Sequence, residues 1–344
     1  VSMDTVSLID IAGYLPENRV GADYFAQFAA TDRLADNIMF RAPKFRHHIA
    51  SDENAVDMAE RAVAPLTERN GAELISNVDI LITHTQLPDV PILGTGGELA
   101  RRMGITPEWV VDLHNGGCAS FVYMIKLARQ IMQTSDASTA LIVSVQNSAG
   151  QIFTQSEVRT LAQSAVPGDG AGACLLVKSA AAPVLGLECR TYPEFAGDMT
   201  AAVDPPRKYW ETGTGQLHIG FTESKIAKVF ARGNRLVPEV AMAVCKQIGI
   251  APDEIDTLVT NQPNRLFLRN WRDALELPAE RHPDTFDECG NLFGAAIPVT
   301  LDIENRAGRI PNGSLVMMSA FAHAGDFAGA GAIRWGAAPA GGVR

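Results

Sequence analysis

The feature that most constrains this chain is an order of segments that occurs twice. Gly168-Asp169-Gly170-Ala171-Gly172-Ala173-Cys174-Leu175-Leu176-Val177 is echoed by Gly325-Asp326-Phe327-Ala328-Gly329-Ala330-Gly331-Ala332-Ile333-Arg334. Val78-Asp79-Ile80-Leu81-Ile82-Thr83 is answered by Ile255-Asp256-Thr257-Leu258-Val259-Thr260. The stretch from Cys118 to the apolar run at Ala140 is answered by the stretch from Cys289 to Leu315-Val316-Met317-Met318. Three echoes in matching order point to a duplicated unit. Buried-type strands alternating with helices give mainly parallel or mixed sheets covered by helices on both faces. The expected fold class is therefore α/β, with two duplicated halves packed in layers around a shared core. The boundary is placed near 180, where Ala180-Ala181-Ala182-Pro183 follows a strand ending at Lys178. That gives halves of 1–180 and 181–344, and a chain of 344 residues is long enough for two cores.

Local patterns fill in the first half. Residues 6–15 alternate and stop at Pro16, as a strand running into a loop does. A mixed segment over about 22–50 carries Arg41, Lys44, Arg46, His47 and His48. Helices are expected over 52–69 and 94–104, and strands at 78–83 and 140–145.

The stretch with the most chemistry in it is Val110-Val111-Asp112-Leu113-His114-Asn115-Gly116-Gly117-Cys118-Ala119-Ser120-Phe121. An apolar run ends in Asn-Gly-Gly, a cysteine follows, and apolar residues then recur at helical spacing. The pattern reads as strand, tight turn and helix, with Cys118 in the first helical turn. Unpaired amides and the positive end of a helix dipole favour thiolate there, so the thiol is expected to be more acidic than a free one. These residues alone leave two readings open: a nucleophile, or a buried structural cysteine.

Charge and cysteine usage exclude several classes. A net charge of −10 argues against a nucleic-acid binder and against attraction to anionic membranes. The five cysteines are odd in number and widely spaced, and their spacing with the histidines matches no zinc site, so no metal is expected. No apolar run is long enough to span a bilayer and no secretory signal is recognisable, which points to a reduced, cytoplasmic setting.

Taken together, the chain resembles the thiolase superfamily, and most closely ketoacyl-ACP synthase III and its acyltransferase relatives. The likeness is carried in order by Gly13-Tyr14-Leu15-Pro16, Arg46-His47-His48-Ile49-Ala50, Gly117-Cys118-Ala119-Ser120, Gly168-Asp169-Gly170-Ala171-Gly172-Ala173, Asn261-Gln262-Pro263-Asn264 and Gly290-Asn291-Leu292-Phe293-Gly294-Ala295-Ala296-Ile297-Pro298. Ala330-Gly331-Ala332-Ile333-Arg334-Trp335 resembles the closing strand. The resemblance implies a thiolase-like fold and an acyl-thioester on Cys118, loaded from acyl-CoA or an acyl-carrier protein with no permanently bound cofactor. It also implies a homodimer. The Cys118 amide and an amide of the Ala324-Gly325 turn, assigned to Gly325, would form the oxyanion hole.

Two departures redirect the expected chemistry. The condensing members use a histidine and an asparagine with the cysteine. Here Asn261 stands at the histidine position, while Asn291 keeps the asparagine. Asparagine donates hydrogen bonds but cannot move a proton near neutral pH, so decarboxylative condensation is put in doubt. The closing turn, mostly glycine in condensing members, here reads Ala322-His323-Ala324-Gly325-Asp326-Phe327. Asp326 is the first candidate for a base and His323 the second, with turn-bonding and neutral packing as their plain structural alternatives. His114 is read as structural, and the glycines of 168–172 and 290–294 as packing positions. For coenzyme A, Arg41 matches the family's arginine, but Asn37 replaces its tryptophan. Arg265 and Arg269 flank Leu266 at the carrier-docking position. The expected activity is acyl transfer from acyl-CoA or acyl-carrier protein to a hydroxyl of a sugar or polyketide, or to a carrier thiol, in natural-product (antibiotic) biosynthesis. The alternative is a decarboxylative condensing enzyme that starts a polyketide or fatty-acid chain.

Overall fold

The computed structural model describes residues 5–29, 37–208, 210–211, 213 and 215–336. Its strands in chain order are β1 Val6–Tyr14, β2 Asn18–Gly21, β3 Phe45–His48, β4 Ile80–Thr85, β5 Trp109–Asp112, β6 Thr139–Gln146 and β7 Gly170–Lys178. The second half carries β8 Val184–Thr191, β9 Met199–Asp204, β10 Gln216–Phe221, β11 Thr257–Thr260, β12 Leu315–Ala322 and β13 Phe327–Arg334. The α-helices are α1 Asp23–Ala26, α2 Ala55–Asn70, α3 Ala72–Ser76, α4 Gly96–Met103, α5 Ser120–Thr134, α6 Ile226–Ile248, α7 Arg265–Ala274, α8 Phe286–Cys289 and α9 Ala296–Arg306.

Two sheets carry the fold. The first has the order β1-β7-β6-β4-β5 and the second β8-β13-β12-β11. Strand directions match as well: two antiparallel pairs lead from the outer strand inward, and parallel pairing follows. Only β5, parallel to β4, has no counterpart among the described residues of the second sheet. This correspondence supports a proposal of two related units meeting between Lys178 and Val184, near the boundary read at 180.

The layers follow from which faces are apolar. Helix α5 lies between the sheets and is buried through Phe121, Val122, Met124, Ile125, Ala128 and Met132. These side chains share one core with β1, β6, β12 and α9, which is why the helix is apolar over so much of its circumference. Helix α2 covers the outer face of the first sheet and α6 that of the second. Asn54 caps α2, accepting the Asp57 amide while the Asp57 carboxylate accepts the Asn54 amide.

The repeat needs one correction. Cys289 ends α8 and does not open the helix that answers to α5. That helix is α9, and it is preceded by a single 3-10 turn, Phe293–Ala295, just as α5 is preceded by Gly117–Ala119. Gly294, not Cys289, therefore occupies the place of Cys118, because the alignment of the halves runs through the turn and not through the nearest cysteine.

Glycines in the echoed motifs are contact points between layers. A Cβ on Gly172 would meet the Pro298 ring of α9 at 2.5 Å. Asp169, in the same motif, is fully buried and accepts the amides of Ile49, Ala149 and Gly150 at 2.8 Å each. Burial pushes its carboxyl up to about 7 although those three amides pull the other way. Asp169→Ala would orphan three buried donors, so a loss of about 3 kcal/mol or more is expected in urea unfolding. A loss under about 1 kcal/mol would show that water replaces the carboxylate.

Candidate active site

The first component is the turn between β5 and α5. Asp112 closes β5 and accepts the Thr95 and Gly96 amides at 2.9 Å, which fixes where the chain leaves the sheet. Gly116 and Gly117 then take φ of +97° and +44°, a region that side chains rarely adopt. Gly117 meets a second demand. A Cβ there would lie 2.8 Å from Nε2 of His323, so only glycine lets the imidazole come this close. Cys118 sits at the centre of the 3-10 turn and is 8% exposed.

The second component is the hairpin turn joining β12 to β13, contributed by the other half. His323 adopts φ +53°, an unfavourable conformation for a non-glycine residue. Its Nδ1 lies 3.0 and 3.2 Å from the two carboxylate oxygens of Asp326. An ionised carboxylate only accepts, so Nδ1 carries the proton and Nε2 is left as the basic nitrogen, on the side facing Gly117. The Gly325 amide donates to the Ala322 carbonyl at 2.9 Å. The donor expected at Gly325 is therefore already engaged. Among the described residues the Ala324 amide, like those of His323 and Asp326, donates to no backbone carbonyl of the turn.

Two asparagines complete the group. The Asn261 side chain hydrogen-bonds the Cys118 sulfur and donates weakly to the Phe321 carbonyl at 3.4 Å. Its Oδ1 is buried with no hydrogen-bond partner. Asn291 accepts the Phe293 amide at 3.0 Å, a cap that leaves its NH2 as the available donor.

Gly117, Cys118, Asn261, Asn291 and His323 line one cavity of about 890 Å³, counting its open mouth. Its other walls are largely apolar, with Phe153, Phe221, Phe267, Phe293 and Phe321 prominent and Met199 at the start of the β9–β10 hairpin. Asp326, the first candidate for the base, does not line this cavity; it lies behind His323.

The acidity expected for the thiol is reversed. Burial pushes Cys118 up to about 12, outweighing the favourable hydrogen bonds from Asn261 and its own amide, and the negative charge of Asp326 pushes the same way. Local helix-end geometry favours thiolate, but desolvation by the surrounding layers is the larger effect. At rest Cys118 is a neutral thiol.

The remaining expected residues fall outside the cavity. His114 is exposed. Asn37 caps the 3-10 turn Ile38–Phe40 through the Met39 amide. Arg41 is exposed and lines a neighbouring cleft that shares Phe40 as a wall with the cavity. That cleft also holds Arg159, which sequence reading missed; its guanidinium lies 4.0 Å from the Phe28 ring centre, and its Nε is buried without a partner. Arg265 is paired with Asp287, and Arg269 is exposed. His84 is buried and held down to about 4 by burial, with the charge of a protonated His323 pushing the same way. Among the described residues, Glu157, Asp204 and His218 bring ligand-type atoms within 4.8 Å of one another; the two carboxylates are on exposed residues. No helix among the described residues is long and apolar enough to cross a membrane.

Comparison with known proteins gives consistent results. The 3-oxoacyl-[acyl-carrier-protein] synthase III profile matches residues 111–193, and the C-terminal profile of the same family matches 245–335. Beta-ketoacyl-[acyl-carrier-protein] synthase III of Thioalkalivibrio sulfidiphilus is 29% identical over 296 residues, covering 86% of each chain. The enzyme of that name from Methylococcus capsulatus is 26% identical and covers 95% of each. Among solved structures, beta-ketoacyl-[acyl-carrier-protein] synthase III of Thermus thermophilus superposes with a TM-score of 0.82 at 26% identity, covering 96% of this chain and 100% of its own.

A thiol near 12 stays almost wholly protonated through neutral pH, and its thiolate fraction rises tenfold per pH unit. Iodoacetamide labelling of Cys118 is expected to keep accelerating beyond pH 10. A plateau near pH 8 would restore the acidic thiol read from the sequence.

Proposed function

Because the chain belongs to the ketoacyl-ACP synthase III family of the thiolase superfamily, we propose that it forms an acyl-thioester on Cys118 and passes the acyl group to a hydroxyl or a carrier thiol. The observation that carries this reading is the His323–Asp326 pair, with Nδ1 on the carboxylate and Nε2 against the turn that holds Cys118. This pair supplies a proton acceptor where the family's histidine position is occupied by Asn261.

The chemistry follows from the roles available to each group. As the Cys118 sulfur attacks the donor's thioester carbonyl, its proton moves to Nε2 of His323, and Asp326 steadies the imidazolium that results. The carbonyl oxygen becomes an oxyanion, for which the Cys118 and Ala324 amides are the donors at hand. Collapse breaks the bond to the donor sulfur, which leaves as a thiol after taking the proton from His323. The acceptor hydroxyl then loses its proton to the same Nε2 as its oxygen attacks the acyl-cysteine, and Cys118 leaves as thiol. Asn261 and Asn291 orient the thioester and the acceptor. The phenylalanine-rich walls receive the acyl group. Arg41 and Arg159, in the cleft next to the cavity mouth, suit the phosphates of coenzyme A or of a carrier's phosphopantetheine. The setting is natural-product biosynthesis, where acyl groups are moved onto sugars or polyketides.

The second reading is decarboxylative condensation. The relatives' name, beta-ketoacyl-[acyl-carrier-protein] synthase III, and the retained Asn291 favour it. Intact-protein mass spectrometry with a panel of acyl-CoAs and acyl-carrier proteins separates the two. The expected adduct depends on Cys118, is absent in Cys118→Ala, and retains the whole acyl group including any terminal carboxyl. Loss of carbon dioxide on the enzyme would overturn simple transfer. His323→Ala is expected to slow acylation by about 10²–10⁴-fold, and an unchanged rate would remove it as the base.

A homodimer is part of the same proposal. β5 is an edge strand with Trp109 and Val110 about 40% exposed, and the adjoining loop shows Ile92 and Leu93 at 91% and 74%. An open strand edge beside apolar side chains is a pairing surface. Light scattering is expected to give twice the chain mass for the wild type and a monomer for Leu93→Asp combined with Val110→Asp. A monomeric wild type would overturn it.

A further inference from the structure

Arg232, on α6, is 8% exposed and has no role in the site as described so far. Its Nη1 donates to the Ala324 carbonyl at 2.8 Å. Its Nη2 is paired with Asp198, which also pairs with Lys225, and its guanidinium lies 4.0 Å from the centre of the Phe195 ring. The two nearby cations hold the Asp198 carboxyl below the usual range, so the pair stays charged.

The partners give this buried cation its significance. Ala324 lies between His323 and Gly325, in the turn that carries the proposed base. Asp198 immediately precedes Met199, the cavity wall residue that opens the β9–β10 hairpin. A Cβ on Gly325 would lie 3.4 Å from the Arg232 side chain, so the turn is packed directly on it. A buried ion pair is a poor route to stability, because apolar residues of similar volume do as well. It is a good way to set the orientation of a peptide plane.

We propose that Arg232 is a positioning residue for acyl transfer. By holding the Ala324 carbonyl it fixes the Ala324–Gly325 peptide and with it the turn that carries His323, strained at φ +53°, and through Asp198 it ties that turn to the acyl-cavity wall. The inference rests on the reading of Cys118 and His323 given above and adds a residue from α6 to it.

The test uses Arg232→Met combined with Asp198→Asn, which leaves no unpaired buried charge, alongside Arg232→Lys. Single-turnover acylation of Cys118 is expected to fall about 10²-fold in the double variant. The donor concentration giving half the maximal rate should change less than about 3-fold, and Arg232→Lys, which can still reach the carbonyl, should recover part of the rate. Acylation within about 3-fold of wild type in the folded double variant would overturn the proposal. So would a loss that follows the melting temperature while the rate per folded molecule is kept. Should the double variant not fold, Arg232→Met alone decides, since Asp198 keeps Lys225 as a partner and a wild-type rate there rules out dependence on the guanidinium. The pH profile of Cys118 alkylation, compared with His323→Ala, needs no donor. It is expected to move toward the His323→Ala profile, and an unmoved profile counts against the clamp. If wild type accepts no acyl group at all, the functional reading fails and this profile still decides whether Arg232 sets the turn.

Discussion

The contact on which the site depends is the approach of the His323 imidazole to the backbone of Gly117. It joins two turns that belong to different sheets, one leading into α5 and one closing the β12–β13 hairpin. The approach is possible because α5 lies between the sheets and shares its core with both. Any side chain at 117 would push the imidazole away from the thiol. The strained φ of His323 and the left-handed glycines on either side are local conformations that the packing of both halves holds in place.

The two halves put an equivalent residue to different uses. Asp169 and Asp326 each follow a glycine and immediately precede the closing strand of their half, β7 and β13. In the first half the carboxylate collects three backbone amides and ties separate loops together. In the second it faces the imidazole of His323, and its backbone carbonyl accepts the Tyr192 amide at 2.7 Å. One position in a duplicated frame thus serves architecture in one copy and proton handling in the other, on the reading proposed here.

Much of the architecture could be read from residue order, because the echoed Gly-Asp motifs and apolar runs are local patterns repeated at matching separations. The strand–turn–helix around Cys118 was legible for the same reason, since Asn115-Gly116-Gly117 before a helical apolar pattern marks a tight turn into a helix. What could not be read depends on tertiary surroundings. The thiol's acidity was misjudged because burial by distant layers outweighs the helix end. The ranking of Asp326 over His323 could not be decided without the contact that places one behind the other. Gly325 looked like a free donor until the turn's own hydrogen bond was seen. Arg159 and Arg232 carried no motif at all; their importance lies in what they touch, from positions far along the chain from Cys118.

The neutral thiol has a consequence for the protein's chemical durability. Peroxides and electrophiles attack thiolates, and oxidation beyond the sulfenic state is irreversible for most proteins. A cysteine held protonated in an apolar chamber offers such reagents little to react with while the chamber is empty. On the proposed reading, its nucleophilicity is expressed as the carbonyl arrives and the proton crosses to the imidazole. Selectivity against stray electrophiles would then be a property of the resting fold, in place before any substrate is recognised.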